Sequence, residues 1–169
     1  MATYKNGFKK QNTELLLLKT IVAIIVAVIL IVVVAFIYDS MTKWRDYNNY
    51  ETVENYEDAF SLKDDADQEL SDYVIYVYSN DNTCESCDLI RNDLLKLANR
   101  LDENTFFLLD VNNVDGEQAD FLDTIERTTI AKPMLVIVND GEFYELSVGS
   151  EAVLNTMKLI EEGNYTPFN

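Results

Sequence analysis

YVIYVYSNDNTCESCDLIRNDLLKLANRL, residues 73–101, is the stretch that decides how this chain folds. It opens on a compact run of β-branched and aromatic residues, the composition of a strand covered on both faces. It closes on Cys87, Ile90, Leu94, Leu97 and Leu101, apolar positions spaced alternately by three and four residues, which make one face of an α-helix. Between the two patterns sit Cys84 and Cys87, the two cysteines of the chain. Asn82 is placed to cap the helix with Glu85 as its capping-box partner, and Thr83 is nearly as suitable. Cys87 then faces the core, and Cys84 lies one turn earlier at the helix tip.

The pattern continues on either side. YEDAFSLKDDADQEL, residues 56–70, is rich in helix formers with an acidic first turn and predicts a helix ending near Leu70. A short first strand is expected near residues 50–55. Downstream, TFFLLDV (residues 105–111) reads as a second buried strand and GEQADFLDTIERT (residues 116–128) as a helix. MLVIV and EFYELSV flank Asn139-Asp140-Gly141, and Asp-Gly between two β-rich runs is a strong hairpin signal. A last helix spans about residues 151–162. Strands separated by helices give a parallel half, the hairpin supplies an antiparallel half, and the fold class is α/β.

Ahead of this domain, residues 20–38 run TIVAIIVAVILIVVVAFIY without a charge. At roughly 1.5 Å per residue that is about 28 Å of helix, close to the thickness of a bilayer core. A cleaved signal peptide has a shorter apolar run and ends in a small-x-small site, whereas this run ends in Phe36, Ile37 and Tyr38. A buried core helix of this length would need a larger protein around it. The expected organisation is a cytoplasmic segment (residues 1–19), a transmembrane helix (20–38), a stalk (39–51) and a folded domain (52–169). Lys5, Lys9, Lys10 and Lys19 precede the span with Glu14 the only acid, so the positive-inside rule sets the N-terminus in the cytoplasm and the domain outside. Tyr38 and Trp44 suit the interfacial belt, or equally the first packing positions of the domain.

Beyond Tyr38, 9 basic residues face 29 acidic ones, a formal charge of −20. Such a surface repels nucleic acid and anionic lipid alike, and neither is an expected ligand. With two cysteines and no histidine, the domain is no disulfide-stapled scaffold and folds on its own core.

The Cys-x-x-Cys spacing supports several chemistries. A thiolate is the nucleophile in disulfide exchange, and a helix N-terminus beside Cys84 favours the anion. Cys87, shielded on the core face, suits the resolving thiol that closes the intramolecular bond and releases a mixed-disulfide partner. The competing readings are two buried small apolar residues, a permanent local disulfide that restrains the unfolded chain very little, and half of a zinc or copper(I) site completed by carboxylates or a second molecule.

Taken together, a strand leading into Cys84-Glu85-Ser86-Cys87 and the later TTIAKPMLVIVNDGEFYELSVGS resemble the thioredoxin superfamily over residues 52–163. The resemblance implies a thioredoxin-like three-layer sandwich with a mixed sheet. It makes Cys84 the nucleophile, Cys87 the resolving thiol and Pro133 a cis-proline facing them, with the backbone of Lys132 pairing an extended substrate. On the residues alone, Pro133 is also allowed simply as a first strand residue that donates no ladder bond. Gly149 would be the family glycine near the active surface, or an ordinary turn glycine. The chain departs from the family where a buried Asp is common, at Tyr78, and where Trp commonly precedes the first cysteine, at Thr83. Glu85-Ser86 stands in place of Gly-Pro, and no proline interrupts the helix after Cys87. Glu85 and Ser86 are therefore the residues expected to tune the redox couple.

The overall plan is similar to that of membrane-anchored bacterial thioredoxin-like proteins, bacteriocin-transport accessory proteins among them. It implies thiol-disulfide exchange on exported proteins or peptides, no cofactor, and a membrane redox partner or transporter alongside; the alternative is an adaptor module whose cysteines are dispensable. A carboxylate at Glu85 disfavours the neighbouring thiolate. The reduction potential of the pair, measured by equilibration with glutathione, is accordingly expected well below the roughly −120 mV of the most oxidising periplasmic catalysts; a value at that level would contradict the role given to Glu85.

Overall fold

The computed structural model describes residues 13–81 and 83–168. Two compact units divide at Thr42. The first is helix α1 (Thr13–Thr42), whose leucines, isoleucines and valines are exposed on every side. It is long and apolar enough to cross a membrane. Lys5, Lys9 and Lys10, on which the expected orientation rests, lie outside the described residues, as does Asn82.

The second unit begins at Lys43. Its elements are β1 (Tyr73–Tyr78), α2 (Glu85–Ala98), β2 (Phe106–Asp110), α3 (Gln118–Thr124), β3 (Met134–Asn139), β4 (Glu142–Val148) and α4 (Ser150–Glu161). The sheet order is β2-β1-β3-β4. β1 runs parallel to β2, with Tyr78 beside Asp110, and antiparallel to β3, with Val77 beside Met134. The hairpin forms as its sequence requires: Asp140 and Gly141 both take positive φ, 53° and 76°, the geometry whose twist matches the flanking strands.

All six residues of β1 are buried, and they alternate between two cores. Val74, Tyr76 and Tyr78 pack with Ile90, Leu94 and Leu95 of α2 and with Val153 and Met157 of α4. Tyr73, Ile75 and Val77 pack on the opposite face with Phe121 of α3, Val53 and Tyr56. Helices on both faces of a mixed sheet make the expected thioredoxin-like three-layer arrangement.

Three local expectations are corrected. Residues 56–70 form no α-helix: a 3-10 turn (Tyr56–Asp58) is followed by turns and by an isolated antiparallel bridge between Lys63 and Glu69. The Asp64 carboxylate accepts the backbone N–H groups of Ala66 and Gln68, at 2.9 Å each, so a side chain satisfies donors that a helix would otherwise use. The first strand reduces to isolated parallel bridges, Thr52 to Leu108 and Asn55 to Asp115. The cap of α2 is Cys84 itself rather than Thr83.

The segment after α1 is built into this unit. Tyr47 is buried and packs on Tyr78, with ring centroids 4.3 Å apart and the ring planes tilted by 38°, and the Arg91 guanidinium lies over its ring. The Tyr50 hydroxyl donates to the carbonyls of Trp44 and Leu95.

Burial pushes Tyr47, Tyr50 and Tyr73 up to about 12, against roughly 10 in an unfolded chain. A raised value means that the folded state holds the proton, so this stabilisation is complete below about pH 10 and is lost as the pH climbs toward 12. Alkaline titration is expected to show these tyrosines ionising together with the loss of far-ultraviolet circular dichroism. Ionisation near pH 10 in a still-folded protein would contradict the burial described.

Candidate redox site

The site is assembled from three separate parts of the chain, each delivered by the end of an element. The first is the start of α2. The four leading N–H groups of a helix lack intrahelical acceptors, and here the Cys84 sulfur takes one of them, that of Cys87 at 3.2 Å, while the Cys84 carbonyl accepts the N–H groups of Cys87 and Asp88. Cys84 and Cys87 are joined by a disulfide with their Cα atoms 5.2 Å apart. Both are buried, Cys84 to 4% exposure and Cys87 to 1%.

The second part is the start of β3. The Lys132-Pro133 peptide bond is cis, and Pro133 is buried. The Lys132 carbonyl accepts the Ser86 hydroxyl at 3.4 Å. The third part is the entry to α4. The Gly149 N–H donates to the Pro133 carbonyl at 2.9 Å, and the Ser150 hydroxyl donates to the Ser86 carbonyl at 3.2 Å. Every residue expected at the site is thus gathered here: Cys84, Glu85, Ser86 and Lys132 line one cleft with Thr83 and Leu89, Cys87 closes the disulfide behind it, and Pro133 bonds to Gly149. Glu85 is exposed, and Leu89 is 79% exposed beside it on an otherwise polar helix face.

The loop that carries β1 into α2 is fixed by a polar network that the sequence reading missed. The Asp81 carboxylate accepts the hydroxyls of Ser79 and Thr83 and, at 3.1 Å, the Thr83 N–H. These bonds, that of Ser79 foremost and then those of Thr83, hold the Asp81 carboxyl well below the usual carboxylate range. Asn112 ties the loop to the end of β2 by donating to Ser79 at 2.8 Å. The available signal was Ser79-x-Asp81-x-Thr83, in which an aspartate lies two residues from each hydroxyl, the spacing of local side-chain turns.

Tyr78, the last residue of β1, is buried in the same core as Cys84 and Cys87. Its ring stacks on that of Tyr76 and meets the tilted ring of Tyr47. Burial, and then the neighbouring Asp110 charge, push its hydroxyl above the ordinary tyrosine range. It keeps its proton near neutral pH and is no general base. Asp110 itself is buried and engaged by Asn112 N–H and by the Asn113 side chain. Among the described residues no group of three or more His, Cys, Asp or Glu side chains converges as a metal site would require.

No family model matches the chain, and no curated protein does. Solved structures similar to it include oxidised mitochondrial thioredoxin 3 from Saccharomyces cerevisiae, 20% identical, covering 66% of this chain and 96% of that one with a TM-score of 0.47. Thioredoxin from Trypanosoma brucei brucei is 15% identical, covering 71% and 96% with a TM-score of 0.48. Oxidised thioredoxin O2 from Arabidopsis thaliana is 19% identical, covering 68% and 94%, also at 0.48.

Gly149 has a φ of 89°, and a Cβ added there would meet nothing within 4 Å. With ψ at 158° the residue lies in the positive-φ extended region that essentially only glycine adopts, so the cost of a side chain is conformational, about 1–3 kcal/mol. Gly149→Ala is expected to lower the stability measured by chemical denaturation by that amount, and an unchanged midpoint would show that the positive φ is not required.

Proposed function

We propose that this chain is a membrane-tethered thiol-disulfide oxidoreductase acting, outside the cytoplasm, on exported proteins or peptides. The observation that carries the proposal is the Cys84–Cys87 disulfide at a helix N-terminus, in one site with the cis Lys132-Pro133 bond. The tether is α1, and its orientation follows from the lysines that precede it.

In the reduced protein the Cys84 thiolate attacks one sulfur of a substrate disulfide. A bond forms between Cys84 and that sulfur, the substrate bond breaks, and the other substrate sulfur leaves as a thiolate that takes a proton from water. Cys87 then loses its proton to solvent and attacks Cys84, the intramolecular disulfide closes, and the second substrate thiolate departs and is protonated. The substrate gains two electrons and two protons, and the cysteine pair loses them. With the pair oxidised, a substrate dithiol runs the same steps in reverse, so the partner couple sets the direction. Lys132 offers backbone groups to an extended substrate beside Pro133, and Glu85 and Ser86 set the poise of the couple.

Two substitutions in the full chain in detergent test this. Cys84→Ser is expected to abolish exchange with a model peptide disulfide while the circular dichroism spectrum stays unchanged. Cys87→Ser is expected to accumulate a mixed disulfide through Cys84, visible by mass spectrometry and released by reductant. Full cellular function in the Cys84→Ser strain would instead favour an adaptor role with dispensable cysteines.

A further inference from the structure

Ser86 lies between the two halves of the site. Its hydroxyl oxygen is 3.4 Å from the Lys132 carbonyl oxygen and 3.7 Å from the Cys84 sulfur. The peptide that carries it is pinned by Ser150, whose hydroxyl donates to the Ser86 carbonyl at 3.2 Å. Reaching either neighbour therefore requires only rotation of the side chain.

A hydroxyl has one proton and donates to one acceptor at a time. A disulfide sulfur is a weak acceptor and a backbone carbonyl a good one, so in the oxidised protein the proton belongs on Lys132. A thiolate is an ionised acceptor, and hydrogen bonds to ionised groups are roughly twice as strong as neutral ones. Reduction of the pair therefore reverses the order of the two acceptors.

We propose that Ser86 is a redox-driven switch: it caps the Lys132 carbonyl while the cysteines are joined, and turns to the Cys84 thiolate on reduction, freeing that carbonyl for a backbone N–H of the substrate chain. The inference rests on the exchange activity proposed above. It gives the site a direction of readiness. In the reducing direction the reduced form, which must hold a disulfide substrate, offers its backbone acceptor, and the oxidised form, which must then let the product go, has that acceptor occupied from within. The same hydroxyl stabilises the thiolate and works against Glu85, so the residues between the cysteines act in opposition.

The sequence supplies a specific probe. Lys-Pro occurs once in the chain, at Lys132-Pro133, because the other proline follows a threonine. Labelling the full chain in detergent with carbonyl-¹³C lysine and ¹⁵N proline therefore isolates the Lys132 carbonyl signal in nuclear magnetic resonance. In wild type and in Ser86→Thr, which keeps the hydroxyl, that signal is expected to move on reduction in the direction of a lost hydrogen bond. In Ser86→Ala it is expected to hold the unbonded position in both redox states.

Alkylation of reduced Cys84 by iodoacetamide at neutral pH gives the second readout. Losing one charge-assisted hydrogen bond lowers the thiolate fraction about tenfold. Greater intrinsic nucleophilicity offsets part of that loss and leaves Ser86→Ala roughly threefold slower, with Ser86→Thr restored. A Lys132 signal indifferent to reduction in wild type, or alkylation of Ser86→Ala at the wild-type rate, overturns the switch. Exchange of the wild type with glutathione disulfide is run in parallel. If that exchange is absent the proposed activity fails, and if it is present while the Ser86 effects are missing only the switch fails.

Discussion

Burying β1 on both faces takes six consecutive side chains, three of them tyrosines, out of water. At about 25 cal/mol per Å² of apolar surface, and with 150–250 Å² in each aromatic ring, that strand is a large share of the driving force for the domain. A strand buried in this way must have a layer on either side. Its parallel partner β2 can be reached only by a crossover, and α2 is that crossover. The first turn of α2 is then obliged to sit just past the end of β1, and this places Cys84 where it is. The antiparallel entry of β3 brings its first residues to the same end of the sheet, with Met134 beside Val77. Lys132 and Pro133 thus meet the cysteines as a consequence of strand direction.

At Cys84 two electrostatic effects oppose one another. The helix end contributes a directed N–H bond from Cys87 at 3.2 Å together with the helix dipole, typically 0.3–1 kcal/mol at an exposed terminus. Glu85 is adjacent in sequence but exposed, so its repulsion acts through a high dielectric and is screened by salt. The directed contact is short and lies in a buried site, whereas the opposing charge stands in solvent. Tyr78, whose hydroxyl is held protonated by burial, offers no base in the core that it shares with Cys87.

Much of this was legible in the sequence, for a physical reason. β1, α2 and the hairpin are written in patterns that local and tertiary forces both favour: continuous β-branched and aromatic residues, a three-four apolar spacing, and Asp-Gly at positions that need positive φ. The cysteine pair, Pro133 and Gly149 were readable because few residue types can occupy such places. Residues 56–70 misled because a helix-like composition says nothing of Asn55 and Asp64, whose side chains accept backbone N–H groups at Glu57, Ala66 and Gln68. Tyr47 gave no periodic signal at all, since its burial depends on Tyr78 and Arg91, both distant in sequence. The Asp81 network had a local signal in Ser79-x-Asp81-x-Thr83, and only its bond from Asn112 comes from a distant part of the chain.

The two margins of the sheet are finished differently. Along β2 the backbone is capped by the chain itself: Val53 donates to the Leu108 carbonyl, and Leu108 donates to the Glu51 carbonyl. Along β4 no further strand pairs among the described residues, but Glu142, Tyr144 and Glu145 stand exposed there, and the Tyr165 hydroxyl bonds Glu145. Unpaired strand edges are templates for aggregation, and charges on an edge are a common guard against it. For this domain the guard is negative charge, so an edge of like sign is repelled over the range that salt leaves unscreened, and strand pairing between copies is disfavoured most at low ionic strength.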